Sequence, residues 1–97
     1  MTAYWITTYQ AVHDPAKVAA YAELAGPALQ AAGGTFLVRG VPEVTFEKGE
    51  ATRTVVIEFP SVEAAVATPD GEAYQEALRA LGDGADRDLR VVPGYEG

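Results

Sequence analysis

The chain has 97 residues, 48% hydrophobic and 22% charged, a size and balance that suit one packed domain spanning 1–97 and exclude both a disordered chain and a separate regulatory module. Its 14 acidic against 7 basic residues leave a formal net charge of −7, which argues against nucleic acid as a partner, and the lack of cysteine excludes disulfides and a thiol nucleophile. No apolar run approaches the roughly 18 residues of a membrane span. The opening Met-Thr-Ala-Tyr-Trp-Ile carries no basic leader, so a cytoplasmic protein that leaves membranes alone is expected.

Ala3 to Tyr9 is rich in aromatic and β-branched residues and predicts a strand, with Tyr4 and Ile6 on one face and Trp5 and Tyr9 on the other. Asp14 is placed to cap a helix whose first residue, Pro15, loses nothing by lacking an N–H. Val18, Tyr21, Ala22, Ala25, Ala28, Leu29 and Ala32 keep the three-and-four spacing of an amphipathic helix. Pro27 predicts a kink or restart within it, and Gly33-Gly34 a glycine cap. Thr35 to Arg39 predicts a second strand that continues extended over Val44 to Glu47 and turns at Lys48 to Ala51. Arg53 to Phe59, nearly all β-branched at its centre, is the strongest strand signal, and Pro60 ends it.

Ser61 caps a helix running to Ala67, Thr68-Pro69-Asp70-Gly71 forms a turn, and Tyr74, Ala77, Leu78 and Leu81 stripe a second helical piece closed by Gly82. Asp83 to Asp88 reads as a polar loop and Leu89 to Val92 as a short last strand. The order is α+β, the ferredoxin-like βαββαβ arrangement with a four-stranded antiparallel sheet. Helices cover one face of such a sheet, yet both alternation sets of these strands are apolar, so a second copy of the chain is expected on the uncovered face.

The segments Ala-Tyr-Trp-Ile at 3 to 6, Asp14-Pro15, Gly-Gly-Thr-Phe-Leu-Val-Arg-Gly at 33 to 40, Val-Val-Ile-Glu-Phe-Pro-Ser at 55 to 61, Glu63-Ala64-Ala65, Tyr74-Gln75 and Ala-Asp-Arg-Asp-Leu at 85 to 89 cover most of the chain. On these residues it resembles the domain-of-unknown-function 1330 family within the dimeric α/β-barrel superfamily. That resemblance implies two sheets packed face to face as a dimeric α/β barrel, with relatives that include cofactor-free monooxygenases, muconolactone isomerase-like proteins and stress-response barrels. It supplies no reaction, because one fold hosts many functions. Where such proteins often read Trp-Tyr-Asp-Ser-Pro-Glu-Tyr, this chain has Thr68-Pro69-Asp70-Gly71-Glu72-Ala73-Tyr74, which implies a wider or differently shaped pocket.

Three side chains are candidates for catalysis. Arg39, at the end of a strand, presents planar donors that suit a carboxylate, phosphate or enolate, or else a salt bridge with Glu58. Glu58, in an apolar strand, is a candidate general base or a partner for Arg39 or Arg53. His13 is the only histidine, the side-chain type whose unperturbed pKa lies nearest neutral, although it stands in a connection where histidines are usually inert. Trp5, Tyr9, Tyr21 and Tyr74 are candidates for the walls of a pocket for a flat hydrophobic ligand, or for core. Arg87, within the resemblance phrase at 85 to 89, is a ligand-binding candidate or pairs near the final turn.

A lone histidine without HExxH or EF-hand spacing gives no metal site, and the glycine-rich stretches lack nucleotide-binding patterns, so no cofactor is expected. Two functions compete. One is a small-molecule-binding homodimer that acts without cofactor on an aromatic or polyketide-like substrate as a cyclase, isomerase or monooxygenase, with Glu58 or His13 as base and Arg39 as clamp. The other is a non-catalytic binding or stress-associated dimer with a filled core and Glu58 engaged by Arg39.

Overall fold

The computed structural model describes residues 1–95. Strand β1 (Ala3–Val12) leads into helix α1 (Pro15–Ala31), then β2 (Thr35–Gly40), β3 (Thr54–Phe59), α2 (Val62–Ala67), a 3-10 turn (Thr68–Asp70), α3 (Glu72–Leu81) and β4 (Ala85–Pro93). The four strands form one antiparallel sheet in the order β2-β3-β1-β4, the ferredoxin-like α+β arrangement, with the helices layered on one face.

Alternation decides what each strand buries. Ala3, Trp5, Thr7 and Tyr9 of β1 are buried under the helices, and the register sets Trp5 opposite Ile57 and Thr7 opposite Val55. Trp5, Ile57 and Phe59 are almost wholly enclosed and pack with Leu29, Ala65 and Ala77. The Tyr21 and Tyr74 hydroxyls, 2.7 Å apart, tie α1 to α3 inside this core, and the Tyr74 ring stands edge-on to Trp5 at 5.5 Å.

The ends of α1 follow their residues. The Asp14 carboxylate accepts from the backbone N–H groups of Ala16 (3.0 Å) and Lys17 (3.3 Å), which otherwise lack helical partners. At the far end Gly33, at φ 103°, donates to the Gln30 carbonyl and Gly34 to that of Leu29, so the last carbonyls are satisfied. Gly34 also admits the sheet closely, for a Cβ there would stand 2.8 Å from Ile57 Cγ2. Pro27 neither breaks nor restarts α1. Pro27 and Glu23, whose carbonyl loses its helical partner, both lie on the exposed side of the helix, so the gap in the ladder is not buried.

Two other expectations fail. Val44 to Glu47 is not extended strand but part of a loop over 41–53, turned by the Gly49 N–H on the Phe46 carbonyl with Glu47 at φ 53°. No neighbouring strand offers this segment a ladder, and Val44 and Phe46 are exposed. Conversely, β4 begins at Ala85 rather than Leu89. A bulge at Gln10 carries β1 on to Val12, and that extension pairs with Ala85 and Asp86. The polar run alternates, with Arg87 facing the helices and Asp86 and Asp88 facing away, as an edge strand tolerates.

The face away from the helices carries Tyr4, Ile6, Val56, Val38 and Val92, with Thr8, Glu58, Asp88 and Arg90 among them. Val38 and Val92 remain 47% and 42% exposed, so within one chain this apolar face has no cover. No helix among the described residues is long and apolar enough to cross a membrane.

Candidate functional site

Helix α1 turns small residues, Ala22, Ala25 and Gly26, towards the β2 and β3 side of the sheet, and a Cβ added at Gly26 would meet nothing within 4 Å. The resulting gap is a cleft floored by Trp5, Thr7, Val55 and Ile57 and walled by Tyr9, Tyr21 and Phe36. Its enclosed space is narrow, about 30 Å³, and opens to solvent at its mouth.

Three arginines complete the lining, two on strands and one just before β3. Arg87 stands opposite Tyr9 in the β1–β4 register, its guanidinium carbon 4.6 Å from the Tyr21 ring centre and 5.7 Å from that of Tyr9. Arg53 precedes β3, 5.8 Å from the Tyr9 ring, and its backbone carbonyl accepts from the Tyr9 N–H. Arg39 of β2 pairs in register with Val55 and lies 5.5 Å from the Phe36 ring. Cation–ring contacts of this kind contribute about 0.5–2 kcal/mol each.

None of these arginines forms an ion pair among the described residues. Four carboxylates engage partners elsewhere: Asp83 with Lys17, Glu72 with Arg79, Asp88 with Arg90, and Asp86 with the His13 ring. Glu23 lines only a shallow hollow outside the cleft, beside Arg39 and Arg53, and pairs with neither. The Arg53 Nε is buried without a protein acceptor, a state that costs about 1–3 kcal/mol or more for a charged group.

Burial, then the neighbouring Tyr74, push the Tyr21 hydroxyl well above the usual tyrosine range, with Arg87 opposing. Burial alone would lower Arg87, but Tyr21 and Tyr74 outweigh it and hold Arg87 above the usual arginine range, so the cleft keeps its positive charge. The Trp5 indole N–H is satisfied by the Thr7 hydroxyl at 3.1 Å.

The structure gathers Trp5, Tyr9, Tyr21, Arg39 and Arg87 around one space. Tyr74 stands behind Tyr21 in the core and borders a separate open hollow lined by Ala28, Ala64, Ala67, Thr68 and Gly71. Glu58 lies on the opposite face of the sheet, between Tyr4 and Thr35, and therefore makes no pair with Arg39, which faces the helices. His13 sits at the surface, its Nε2 3.0 Å from Asp86 Oδ2. Arg53, which the sequence suggests only as a partner for Glu58, also lines this space. Its signal is the alternation Arg53, Val55, Ile57, Phe59, which places it on the buried set. Among the described residues no group of three or more His, Cys, Asp or Glu could hold a metal ion.

A profile of the family described as domain of unknown function (DUF1330) matches residues 2–95. No curated protein matches the chain. Among solved structures, the RPA0582 protein of unknown function from Rhodopseudomonas palustris superimposes with a TM-score of 0.73 at 19% identity, covering 99% of this chain and 84% of its own. SnoaB, a cofactor-independent oxygenase from Streptomyces nogalater, gives 0.62 at 9% identity over 99% and 95% of the two chains. A dimeric protein of unknown function and ferredoxin-like fold from Bacteroides fragilis gives 0.58 at 14% identity over 96% of each.

Proposed function

We propose that this chain, which belongs to the DUF1330 family, is a homodimeric small-molecule-binding protein whose ligand occupies the cleft between α1 and the sheet. The observation that carries this reading is the lining, with aromatic walls and three cations that the protein leaves without counter-charges. Apolar concavities with a few convergent polar groups are the usual form of ligand sites. The second copy covers the apolar outer face, sheet against sheet, in a dimeric α/β barrel. Tyr4, Ile6, Val38, Val56 and Val92 supply its apolar area, and Glu58, Asp88 and Arg90 its polar groups. The dimeric Bacteroides fragilis protein of the same fold supports that assembly. Cytoplasmic residence belongs to the same reading.

A second reading adds turnover without a cofactor, and likeness of fold to the oxygenase SnoaB favours it. In that case Arg39, Arg53 and Arg87 stabilise negative charge developing on the ligand, and the tyrosine hydroxyls are the remaining polar groups at hand. Glu58, on the outer face, and His13, paired with Asp86 at the surface, are better placed for the dimer interface and the start of α1 than for acid–base work in the cleft.

Native mass spectrometry of the protein purified from its own host tests both parts together. A dimer carrying an added small molecule is expected, and the added mass identifies the compound to assay for turnover. A monomer overturns the assembly; an empty protein whose Trp5 emission no aromatic compound perturbs overturns the cleft as ligand site.

A further inference from the structure

We infer that the cleft selects a planar aromatic anion, with a carboxylate, phenolate or enolate oxygen on a flat ring system, over a neutral hydrophobic molecule. The inference rests on the cleft being the ligand site and adds the charge of what it takes.

The charge distribution is the first ground. The chain carries a net −7, yet three of its 7 basic side chains converge on this one space, and no described carboxylate lines it. The arginines that do meet carboxylates, Arg79 and Arg90, lie at the surface. Like charges crowded around a half-enclosed, low-dielectric space repel one another, and a bound anion converts that repulsion into attraction. Glu23, on the mouth side of Arg39 and Arg53, makes no contact that would neutralise them.

The second ground is the buried Nε of Arg53, a donor with no protein acceptor. A ligand oxygen lodged against Arg53 supplies one, and the planar guanidinium fork matches a carboxylate or enolate better than a neutral amide. The third is shape. Tyr9, Tyr21 and Phe36 wall a narrow cleft above Trp5, with an enclosed space of only about 30 Å³, so it suits a flat ring that enters edge-first and remains partly in its open mouth.

The experiment titrates the intact protein with 2-naphthoate and with its neutral counterpart 2-naphthamide, read by emission of Trp5, the only tryptophan, and by calorimetry. The naphthoate is expected to bind at least about tenfold more tightly than the amide. That preference should shrink as NaCl rises from about 0.05 to about 0.5 M. Arg53→Gln and Arg87→Gln should each weaken naphthoate by about tenfold and move the amide less than about twofold. Arg39→Gln, at an exposed position, is the variant least able to disturb folding and should act in the same direction. Equal affinity for the two probes, or arginine variants that weaken both alike, overturns the anion inference and leaves the cleft standing as a binding site. Failure of both probes to perturb Trp5 or release heat overturns the cleft reading along with it.

Discussion

Arg87 and Arg90 stand three positions apart on β4 and meet opposite surroundings. Arg90, on the outer face, is exposed and held by Asp88 through two hydrogen bonds of 2.8 and 2.9 Å. Arg87, on the inner face, is half-buried against the Tyr21 ring and has no carboxylate. A surface cation that finds its own partner is finished within the chain and adds little to stability. A half-buried cation that meets aromatic rings and tyrosine hydroxyls but no carboxylate is left with bonding capacity for a ligand. The same contrast separates the two faces of the whole sheet: the inner one is packed at the Trp5–Phe59 end and cationic at the cleft, and the outer one is apolar and uncovered.

The sharpest way to break that contrast is at neighbouring residues of β3. Ile57→Ala, on the inner face, empties volume from the enclosed core and should cost about 2–5 kcal/mol in chemical denaturation. Val56→Asp, one residue away on the outer face, should leave the monomer's fold intact and shift light scattering from dimer to monomer. Equal loss of fold in both variants would mean that the outer face is packed within the chain.

A smaller effect sharpens the account of the Tyr21–Tyr74–Arg87 group. Tyr21→Phe leaves the Tyr74 hydroxyl without its partner and should cost about 1–3 kcal/mol at neutral pH. Burial and Tyr74 raise the folded Tyr21 hydroxyl above its ordinary 10.0, so above that pH the unfolded chain ionises first. The stability that neutral Tyr21 contributes is therefore fully present below about pH 10 and is lost as pH climbs towards the raised folded value. The Phe variant should show a shallower alkaline decline in urea midpoints. An identical decline in both proteins would place Tyr21 in water.

The smallest effect is expected at Arg90→Ala in the Val56→Asp monomer, where it removes an exposed pair and should leave the unfolding midpoint unchanged. In the dimer, whose proposed interface covers Asp88 and Arg90, the same substitution should lower the midpoint. An unchanged midpoint in both backgrounds would place the pair outside the interface.

Much of this architecture follows from local chemistry that any reader of the sequence can apply. The Asp14-Pro15 start, the Gly33-Gly34 stop, the Ser61 cap and the strand at 54–59 each depend on a few neighbouring residues. Alternation alone separates Trp5 and Tyr9 from Tyr4 and Ile6, and it carries Arg53 with Val55 and Ile57. Features that depend on a partner strand were not legible in this way. The polar run after Gly84 becomes strand only because the Gln10 bulge extends β1 to meet it, and Val44 to Glu47 stays a loop because nothing lies beside it.

Arg39 shows the limit most clearly. Counting by twos from Phe36 sends it to the outer face with Leu37, but the register shift at Leu37 sets Val38 opposite Val56 and returns Arg39 to the cleft opposite Val55. The sequence by itself determined the elements, their caps and the two apolar faces, because those follow from the backbone periods of helix and strand. Only the tertiary structure decided that Arg39, Arg53 and Arg87, far apart along the chain, surround one space while Glu58 and His13 do not. A bulge costs one residue, and one residue reverses which face a side chain takes.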